Sequence, residues 1–321
     1  MDVSVVIINY NTFHLTSVCI ESIIEKTEDI SYEIILVDNG STECEAVLFK
    51  TRFPEIKLIE SNLNLGFSKG NNLGLSHAIG NTLILLNSDT VLINNALKIA
   101  HNLLIRDPSV GVLCGQLLNM NYIVQPAAGR FPSLKRELLE LLRIPHFFDK
   151  EKKARYYLHK HADYSRPLEA DWVSGAFFVF SKDILKSFPN HKLHENFFMY
   201  YEDVQWCYHI RRRLKKKVIY DPRPQIHHIE AASSSTTNQI LKNFKVIVPN
   251  QYKWMLLEKG LVYTKIFYVI RSLHYFSLRD SHSIRKALIF FLLSLHGIDY
   301  YENRLPIEQI LNPANRAIVH D

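Results

Sequence analysis

The chain has 321 residues, 47% hydrophobic and 22% charged, enough to bury the core of one large domain with an appendage or of two domains, which excludes a disordered polymer. Its formal charge of +6 is uneven: from Gln239 to His296 nine Lys/Arg stand against two acids, Glu258 and Asp280, whereas the rest carries 29 basic and 30 acidic residues. Cys19, Cys44, Cys114 and Cys207 form neither a CxxC pair nor a metal spacing, the N-terminal "MDVSVVIINYN" lacks a signal-peptide pattern, and the apolar run Ala287 to Leu295 falls short of the ~18 residues of a bilayer span, so a reduced, cytoplasmic setting is expected.

Strands and helices alternate along the first 120 residues. The β-branched run Val3 to Asn9 predicts a buried strand, and Leu15 to Lys26 predicts a helix with Leu15, Val18, Cys19 and Ile23 at helical spacing. "EIILVD" predicts the second strand, Glu43 to Phe53 the second helix and "IKLIE" the third strand. The Gly/Asn-rich "SKGNNLGLSHAI" leads into a helix, followed by the strand "TLILL", the helix "NALKIAHNLLIR" and the strand "VGVLCGQ". This rhythm implies a largely parallel sheet covered by helices, whose ligands bind beyond the carboxyl ends of the strands. Asp38 ends the second strand and Asp89 follows the fourth, so both carboxylates fall along one sheet edge. Asn87, Ser88 and Asp89 also have the chemistry of a tight turn. Two strand-end acids with the Gly/Asn-rich stretch Asn62 to Asn72 between them favour a nucleotide site over a turn alone.

From Arg130 to Pro167 the pattern weakens to an amphipathic helix, "LKRELLELLRIP", and a charged, aromatic stretch without a motif. "DWVSGAFFVF" reads as a strand, and a Trp at a strand start such as Trp172 is often core. In "MYYEDVQWCYHIRRR" the positions Val204, Trp206, Cys207, Ile210 and Leu214 have helical spacing, which puts Glu202 and Asp203 in the first turn, where acids also suit the helix dipole. Neighbouring helix residues point about 100° apart, so the two acids do different work. "VIYDPRPQ" predicts a strand and a Pro-punctuated turn before His227 and His228, and "SSSTTN" predicts a linker between a domain over 1–236 and a helical region over 237–321. In that region cations interleave with Tyr, Phe, Trp, Leu and Ile, the pattern of helices on an anionic membrane surface or of helices with a solvated basic face. No nucleic-acid motif accompanies the charge, and no nucleic-acid partner is expected.

The ordered set "VVIINYN", "ILVDNGS", "NLNLGFSKGNNLG", "LLNSDT", "WVSGAFFVF", "ENFFMYYEDVQWCYHIRR" and "HHIEAASS" resembles the family 2 glycosyltransferases, most closely their rhamnosyltransferase-like branch, over Val3 to Ser235. The resemblance implies an α/β GT-A fold: a Rossmann-like, mainly parallel sheet flanked by helices, with a nucleotide-sugar half (1–120), an acceptor and catalytic half (121–236) and a C-terminal helical appendage. It implies inverting transfer from dTDP-rhamnose or a UDP-hexose to a hydroxyl of a glycan or polyprenyl-diphosphate-linked acceptor in cell-surface polysaccharide synthesis. Mg²⁺ or Mn²⁺ would be the cofactor, and the protein would sit peripherally on the inner face of the plasma membrane. By the same resemblance Asn9, Asn11, Asp38, Asn64, Gly66, Phe67, Asn71, Asn72, Asn87, Ser88 and Asp89 bind the donor, with Asp38 on the base and Asp89 on the cation. Asp203 is the base and Glu202 its support; Trp172, Ser174, Gly175 and Glu195 face the acceptor; His228, or else His227, reaches the cation or diphosphate.

Two positions depart from the family pattern: Asn87 stands where the DxD-type motif starts with an acid, and Ala231 stands where a glycine follows the histidine. A divalent cation offsets the charge that develops on the leaving diphosphate, and Mg²⁺ needs only one or two carboxylates beside phosphate and water. Asp89 therefore suffices, with Asn87 as a neutral partner, and an imidazole ligand suits Mn²⁺ better than Mg²⁺. The acceptor hydroxyl must lose its proton, which requires a carboxylate facing the donor. A catalytically inert nucleotide-sugar-binding or scaffold protein of the same fold is the competing reading; Asn87 argues for it, and Asp89, Asp203 and His228 argue against it.

Overall fold

The computed structural model describes residues 1–158, 161–229 and 240–311. In chain order its elements are β1 (Val3–Asn9), α1 (Phe13–Lys26), β2 (Tyr32–Asn39), α2 (Val47–Arg52), β3 (Lys57–Ser61), α3 (Gly66–Leu75), β4 (Thr82–Asn87), β5 (Thr90–Leu92), α4 (Ala96–Arg106), β6 (Val110–Leu118), β7 (Ala128–Gly129), α5 (Leu134–Leu141), α6 (Lys150–Tyr157), β8 (Leu168–Ala170), β9 (Trp172–Val173), β10 (Phe177–Ser181), α7 (Lys182–Lys186), α8 (Glu202–Tyr208) and β11 (Lys217–His228). The helices Val248–Lys259, Leu261–Ser277, Ser281–His296, Ile298–Asn303 and Ile307–Leu311 follow. The chain forms two compact units, one of residues 1–130 with 154–232 and one of 131–153 with 233–321.

The first unit holds a nine-stranded sheet in the order β3-β2-β1-β4-β10-β6-β11-β5, with β8 also on β11. β3, β2, β1 and β4 are parallel, as the continuous apolar runs of β2, β1 and β4 lead one to expect of strands buried on both faces, with β3 at the partly exposed edge; Val5, Val6, Ile7, Leu36 and Ile84 are fully buried. The other half is mixed, because β10 enters antiparallel between β4 and β6. β11 lies parallel to β6 and antiparallel to β5 and β8.

Three local expectations shift. α2 is shorter than the predicted span because Glu43 stays in the preceding loop, where its carboxylate receives the Phe13 N–H. The helix after Asp203 runs only to Tyr208 before a π-helical turn over His209–Arg213. The Pro-punctuated turn after Tyr220 is instead an irregularity inside β11: the register slips between Tyr220 and Gln225, where Pro222 and Pro224, lacking N–H groups, leave no ladder donor unpaired.

In the second unit α5 packs with the C-terminal helices, so the chain between 131 and 153 leaves the sheet domain in which sequence order alone put it. Leu134 N–H donates to the Tyr263 hydroxyl at 2.9 Å, and Phe131 stacks on Trp254 at 5.9 Å. Arg271 Nη2 reaches Glu137 Oε1 at 2.5 Å and its guanidinium lies 4.5 Å above the Phe267 ring, a half-buried ion pair joining α5 to the helix Leu261–Ser277. The expected linker "SSSTTN" and the Ala231 position lie outside the described residues. Among the described residues no helix is long and apolar enough to cross a membrane.

Candidate active site

Asn9 and Asp38 are register partners at the carboxyl ends of β1 and β2. The Asn9 amide donates to Asp38 Oδ1 at 2.8 Å and to Ser41 Oγ at 2.9 Å, while Ser41 N–H donates to Asp38 Oδ2 at 3.2 Å. A carboxylate has about four lone-pair sites, so these two bonds lock the rotamer and leave capacity for a further N–H donor. Asn11, at φ 53°, braces the neighbouring loop through Thr42 and Glu43 N–H.

The Gly/Asn segment turns out to be a brace between the two halves of the site. Asn39 Nδ2 donates to Asn64 Oδ1 at 3.1 Å, and Asn64 Oδ1 also takes the Gly66 N–H at 2.9 Å. Gly66 sits at φ +76°, and a Cβ there would come within 2.5 Å of Phe198 O, so only glycine fits. Asn71 and Asn72, expected on the donor, are buried and spend their amides on protein. Asn71 donates to Phe67 O, and Asn72 binds Leu193 O and Glu195 Oε1, both at 2.8 Å. Glu195 is thereby held at the surface.

Asn87, Ser88 and Asp89 form the tight turn between β4 and β5, closed by Thr90 Oγ1 donating to Asn87 O at 2.7 Å, and the same turn builds the site. Ser88 Oγ lies 3.3 Å from Thr12 Oγ1. β5 pairs with the end of β11, with His228 opposite Thr90, and Ile229 N–H donates to Asp89 O at 2.8 Å. His228 Nε2 consequently lies 3.5 Å from Asp89 Oδ1 and 3.5 Å from Asn87 Nδ2. The other ring nitrogen, Nδ1, is 3.0 Å from Gln125 Oε1, and Gln125 Nε2 donates to His228 O at 3.2 Å. That second bond orients the Gln125 amide, which makes Nδ1 the protonated nitrogen and turns the Nε2 lone pair towards Asp89.

These groups fit a divalent cation. A carboxylate and an imidazole nitrogen converge, a carboxamide fixes the tautomer from behind, and Asn87 Oδ1 is buried with no hydrogen-bond partner among the described residues. Among the described residues no third His, Cys, Asp or Glu joins them, so the remaining ligands would be phosphate oxygens and water. His227 is not part of the set: alternation along β11 sends it to the opposite face, where Nδ1 lies 3.0 Å from Asn119 O and the ring packs edge-on against Tyr122.

The second cluster lies at the same end of the sheet, because Asn87 N–H donates at 3.0 Å to Ala176 O, one residue beyond Gly175. Gly175 N–H donates to Asp203 Oδ2 at 3.2 Å, and Val204 N–H donates to Asp203 Oδ1 at 2.8 Å. A Cβ on Gly175 would stand 3.3 Å from the Phe67 ring, which stacks on Trp206 at 6.1 Å. Glu202 is buried and its Oε2 has no hydrogen-bond partner among the described residues. Burial pushes both carboxyls above the ordinary range; the Asp203 charge lifts Glu202 further, while the N–H groups of Val204 and Gly175 partly hold Asp203 down. Ser174 Oγ accepts the Ala176 N–H, and Trp172 packs over Gly129 with its indole N–H on Arg130 O at 3.2 Å.

Two features escape sequence reading. Tyr200 and Tyr201 are consecutive left-handed residues, φ 68° and 81°, just before Glu202; such strain costs of order 1–3 kcal/mol per residue and collects at functional sites. Nothing in an aromatic pair signals it. Gln125 reaches His228 only through folding, and no local motif marks it.

The fold is shared with known glycosyltransferases. A mannosyltransferase from Pyrobaculum calidifontis, solved with GDP-Man and Mn²⁺, superposes with a TM-score of 0.55 at 14% identity, covering 99% of this chain and 81% of that one. A low-salt glycan biosynthesis hexosyltransferase, Agl10, from Haloferax volcanii is 23% identical over 216 residues, 66% of this chain and 62% of its own length. The glycosyltransferase GlyG of Streptococcus pneumoniae is 27% identical over 122 residues, 36% of this chain and 39% of its own. With a GT-A fold, a strand-end acid turn beside a histidine, and a match to the Glycosyl transferase family 2 profile over residues 4–188, the chain belongs to glycosyltransferase family 2.

Proposed function

We propose that the protein is a cation-dependent, inverting glycosyltransferase that moves a hexose from a nucleoside-diphosphate sugar to a hydroxyl of a glycan or lipid-linked acceptor in cell-surface polysaccharide synthesis. The observation that carries this reading is the joining of the Asp89–His228 pair and the Glu202–Asp203 pair at one sheet end through the Asn87–Ala176 bond. Asp89 and His228 would hold Mg²⁺ or Mn²⁺, with the unsatisfied Asn87 oxygen beside them. The cation supplies positive charge against the leaving diphosphate. Asp38, locked by Asn9 and Ser41, accepts an N–H of the base.

Asp203 takes the proton of the acceptor hydroxyl as it attacks the anomeric carbon from the face opposite the diphosphate, which inverts that carbon. Its raised pKa brings it closer to the working pH, where a general base is most effective. Glu202, raised further, stays protonated longer and so keeps negative charge off its neighbour. Glu195 and Trp172 offer the acceptor a carboxylate and an indole edge. The donor chemistry is shared by dTDP-rhamnose, which the motif resemblance favours, and by UDP- or GDP-linked hexoses.

The test is a melting-temperature panel of dTDP-rhamnose, UDP-glucose, UDP-galactose and GDP-mannose with and without Mn²⁺, followed by single-turnover transfer with the donor that stabilises most. A cation-dependent rise with one donor and its transfer to an acceptor support the reading. Stabilisation without turnover on any acceptor would make the chain the inert binder, and undiminished turnover in excess EDTA would remove the cation from it.

A further inference from the structure

Two helices of the second unit are apolar on both sides. In the helix Leu261–Ser277 the buried residues Thr264, Phe267, Tyr268 and Ser272 mark one side. On the other lie Val262, Ile266, Val269, Leu273 and Phe276, each between 37% and 72% exposed. At 100° per residue these five fall within an arc of about 80°, opposite the buried side, along about 21 Å of helix. The helix Ser281–His296 repeats the pattern: Ala287, Phe290 and Leu293 are buried, while Ile284, Leu288, Phe291 and Leu295 are 42% to 51% exposed within about 60°. A helix on a globular surface carries one apolar stripe and a polar opposite face, so the second stripe on each is left over.

The two helices pack together as a hairpin. Ser272 Oγ donates to Ala287 O at 2.8 Å, Tyr268 meets Phe290 at 5.9 Å, and Lys265 Nζ reaches Leu295 O at 3.4 Å. From Gly260 to Gly297 the chain carries five cations, Lys265, Arg271, Arg279, Arg285 and Lys286, against one acid, Asp280. Asp280 is turned to the backbone as the cap of the second helix, accepting Ser283 N–H at 2.8 Å, and Arg271 is turned inward onto Glu137. No acid lies on either stripe. Lys265 stands at one end of the hairpin and the exposed Arg279 at its turn.

Arg285 Nη1 donates to Leu311 O at 3.3 Å and Lys286 lies 5.7 Å from the Tyr275 ring centre, which leaves Lys265 and Arg279 as the outward charges. We propose that the hairpin 261–296 is a docking face for an anionic lipid surface, its two leftover stripes entering the acyl boundary and Lys265 and Arg279 meeting headgroup phosphates. Long cationic side chains suit this arrangement, since their stems lie along apolar surface while the charge reaches outward. A second copy of the chain suits it less: an isologous contact through these stripes brings Lys265 and Arg279 towards their own kind with no acid to receive them. The inference does not depend on the transfer chemistry.

The experiment is co-sedimentation of the full chain with vesicles of phosphatidylcholine alone or with ~30% phosphatidylserine, at ~0.1 M and ~1 M salt, which shortens the screening length from about 10 Å to about 3 Å. The wild type should pellet with the anionic vesicles and be released by salt. The triple variant Ile266→Glu, Leu273→Glu, Phe291→Glu should bind at least ~10-fold more weakly with an unchanged melting temperature, as expected for substitutions at exposed positions. The pair Val269→Glu and Leu288→Glu serves as an independent variant should the triple one melt early. A wild type left in the supernatant, equal pelleting with neutral vesicles, or variants that pellet like the wild type would overturn the proposal. So would a concentration-dependent dimer in sedimentation velocity that the same variants dissociate, which would assign the face to a second copy.

Discussion

Nε2 of His228 faces Oδ1 of Asp89 across 3.5 Å, and the opposite nitrogen of that ring is tied to Gln125 at 3.0 Å. Since the lone pair direction is set from behind, the cation set should be separable by mutation. Asp89→Ala and His228→Ala should each abolish the Mn²⁺-dependent rise in melting temperature with a nucleoside diphosphate. Gln125→Leu should weaken Mn²⁺ by about 10–100-fold, the usual worth of a partner behind a ligating histidine. His227→Ala, on the other face of β11, should keep the Mn²⁺ response; losing it would move the ligand to that residue.

Asp203→Asn keeps shape and hydrogen bonding but cannot take a proton at neutral pH, so single-turnover transfer should slow by about two to four orders of magnitude while donor binding by calorimetry persists. The pH dependence has a fixed sign. Burial raises the Asp203 carboxyl, the base works only when ionised, and the acid limb of the transfer rate should therefore lie above the ordinary carboxylate range and rise with pH. Near wild-type transfer by the asparagine variant would reassign the base to Glu202 or Glu195.

What was legible in the sequence is what local chemistry dictates. Apolar runs between helical periods announced β1 to β4 and α1, α3 and α4, and the acids beyond β2 and β4 landed on one edge because parallel strands allow no other outcome. The antiparallel β10 was not legible, since "FFVF" is equally buried in either direction. Nor was the move of α5 into the second unit, where Arg271 finds Glu137 from 134 residues away. At the site, Asp89 could be named from its strand end and the motif resemblance put His228 ahead of His227; the facing of β11 and the Gln125 amide give the physical difference between the two. Asn71 and Asn72 looked like ligand amides because nothing local reveals that Leu193 and Glu195 would claim Asn72.

A second pair of histidines underlies the segment leading to Glu202. His194 Nε2 lies 3.1 Å from His209 Nδ1, Phe188 stacks on His209 at 4.2 Å, and Trp206 N–H donates to His194 O at 2.9 Å. Burial lowers both pKa values from the ordinary 6.5, with the charge of His209 adding to the effect on His194 and that of Arg213 to the effect on His209. The folded pair thus resists protonation while the unfolded chain accepts it, so the pair's own contribution to stability is complete above pH about 6.5 and is lost as pH falls below that value. The raised carboxyls of Glu202 and Asp203 act with the opposite sign over the same range, so the pair is read as a difference: between pH 7 and pH 5 the urea midpoint should change less favourably in the wild type than in His209→Gln, which removes one of the titrating rings. Parallel changes for the two proteins would assign the pair no part in the acid response.

The Gly/Asn segment and the stretch that leads into α8 meet closely at Gly66. Gly66 has φ +76° and would place a Cβ 2.5 Å from Phe198 O, and the next residue, Phe67, donates its N–H to that same oxygen at 2.7 Å. Phe198 leads within three residues to the left-handed Tyr200 and Tyr201 and then to Glu202 and Asp203. In Gly66→Ala the added methyl group meets the Phe198 carbonyl oxygen at 2.5 Å and the Phe198 ring at 2.7 Å, so moving the ring alone does not relieve the clash, and the left-handed conformation adds its own cost. Destabilisation of about 1–3 kcal/mol is expected from the conformation alone, read as a shift in the urea midpoint. The loss of transfer should exceed what the unfolded fraction explains, since pushing Phe198 away shifts Asp203, and a misplacement of about 1 Å can cost about 100-fold in rate. Donor affinity should fall less than the chemical step, because Asp38, Asp89 and His228 hang on other strands. If affinity and rate instead fell together by the same factor, the glycine would serve the donor alone and the link to Asp203 would be discarded.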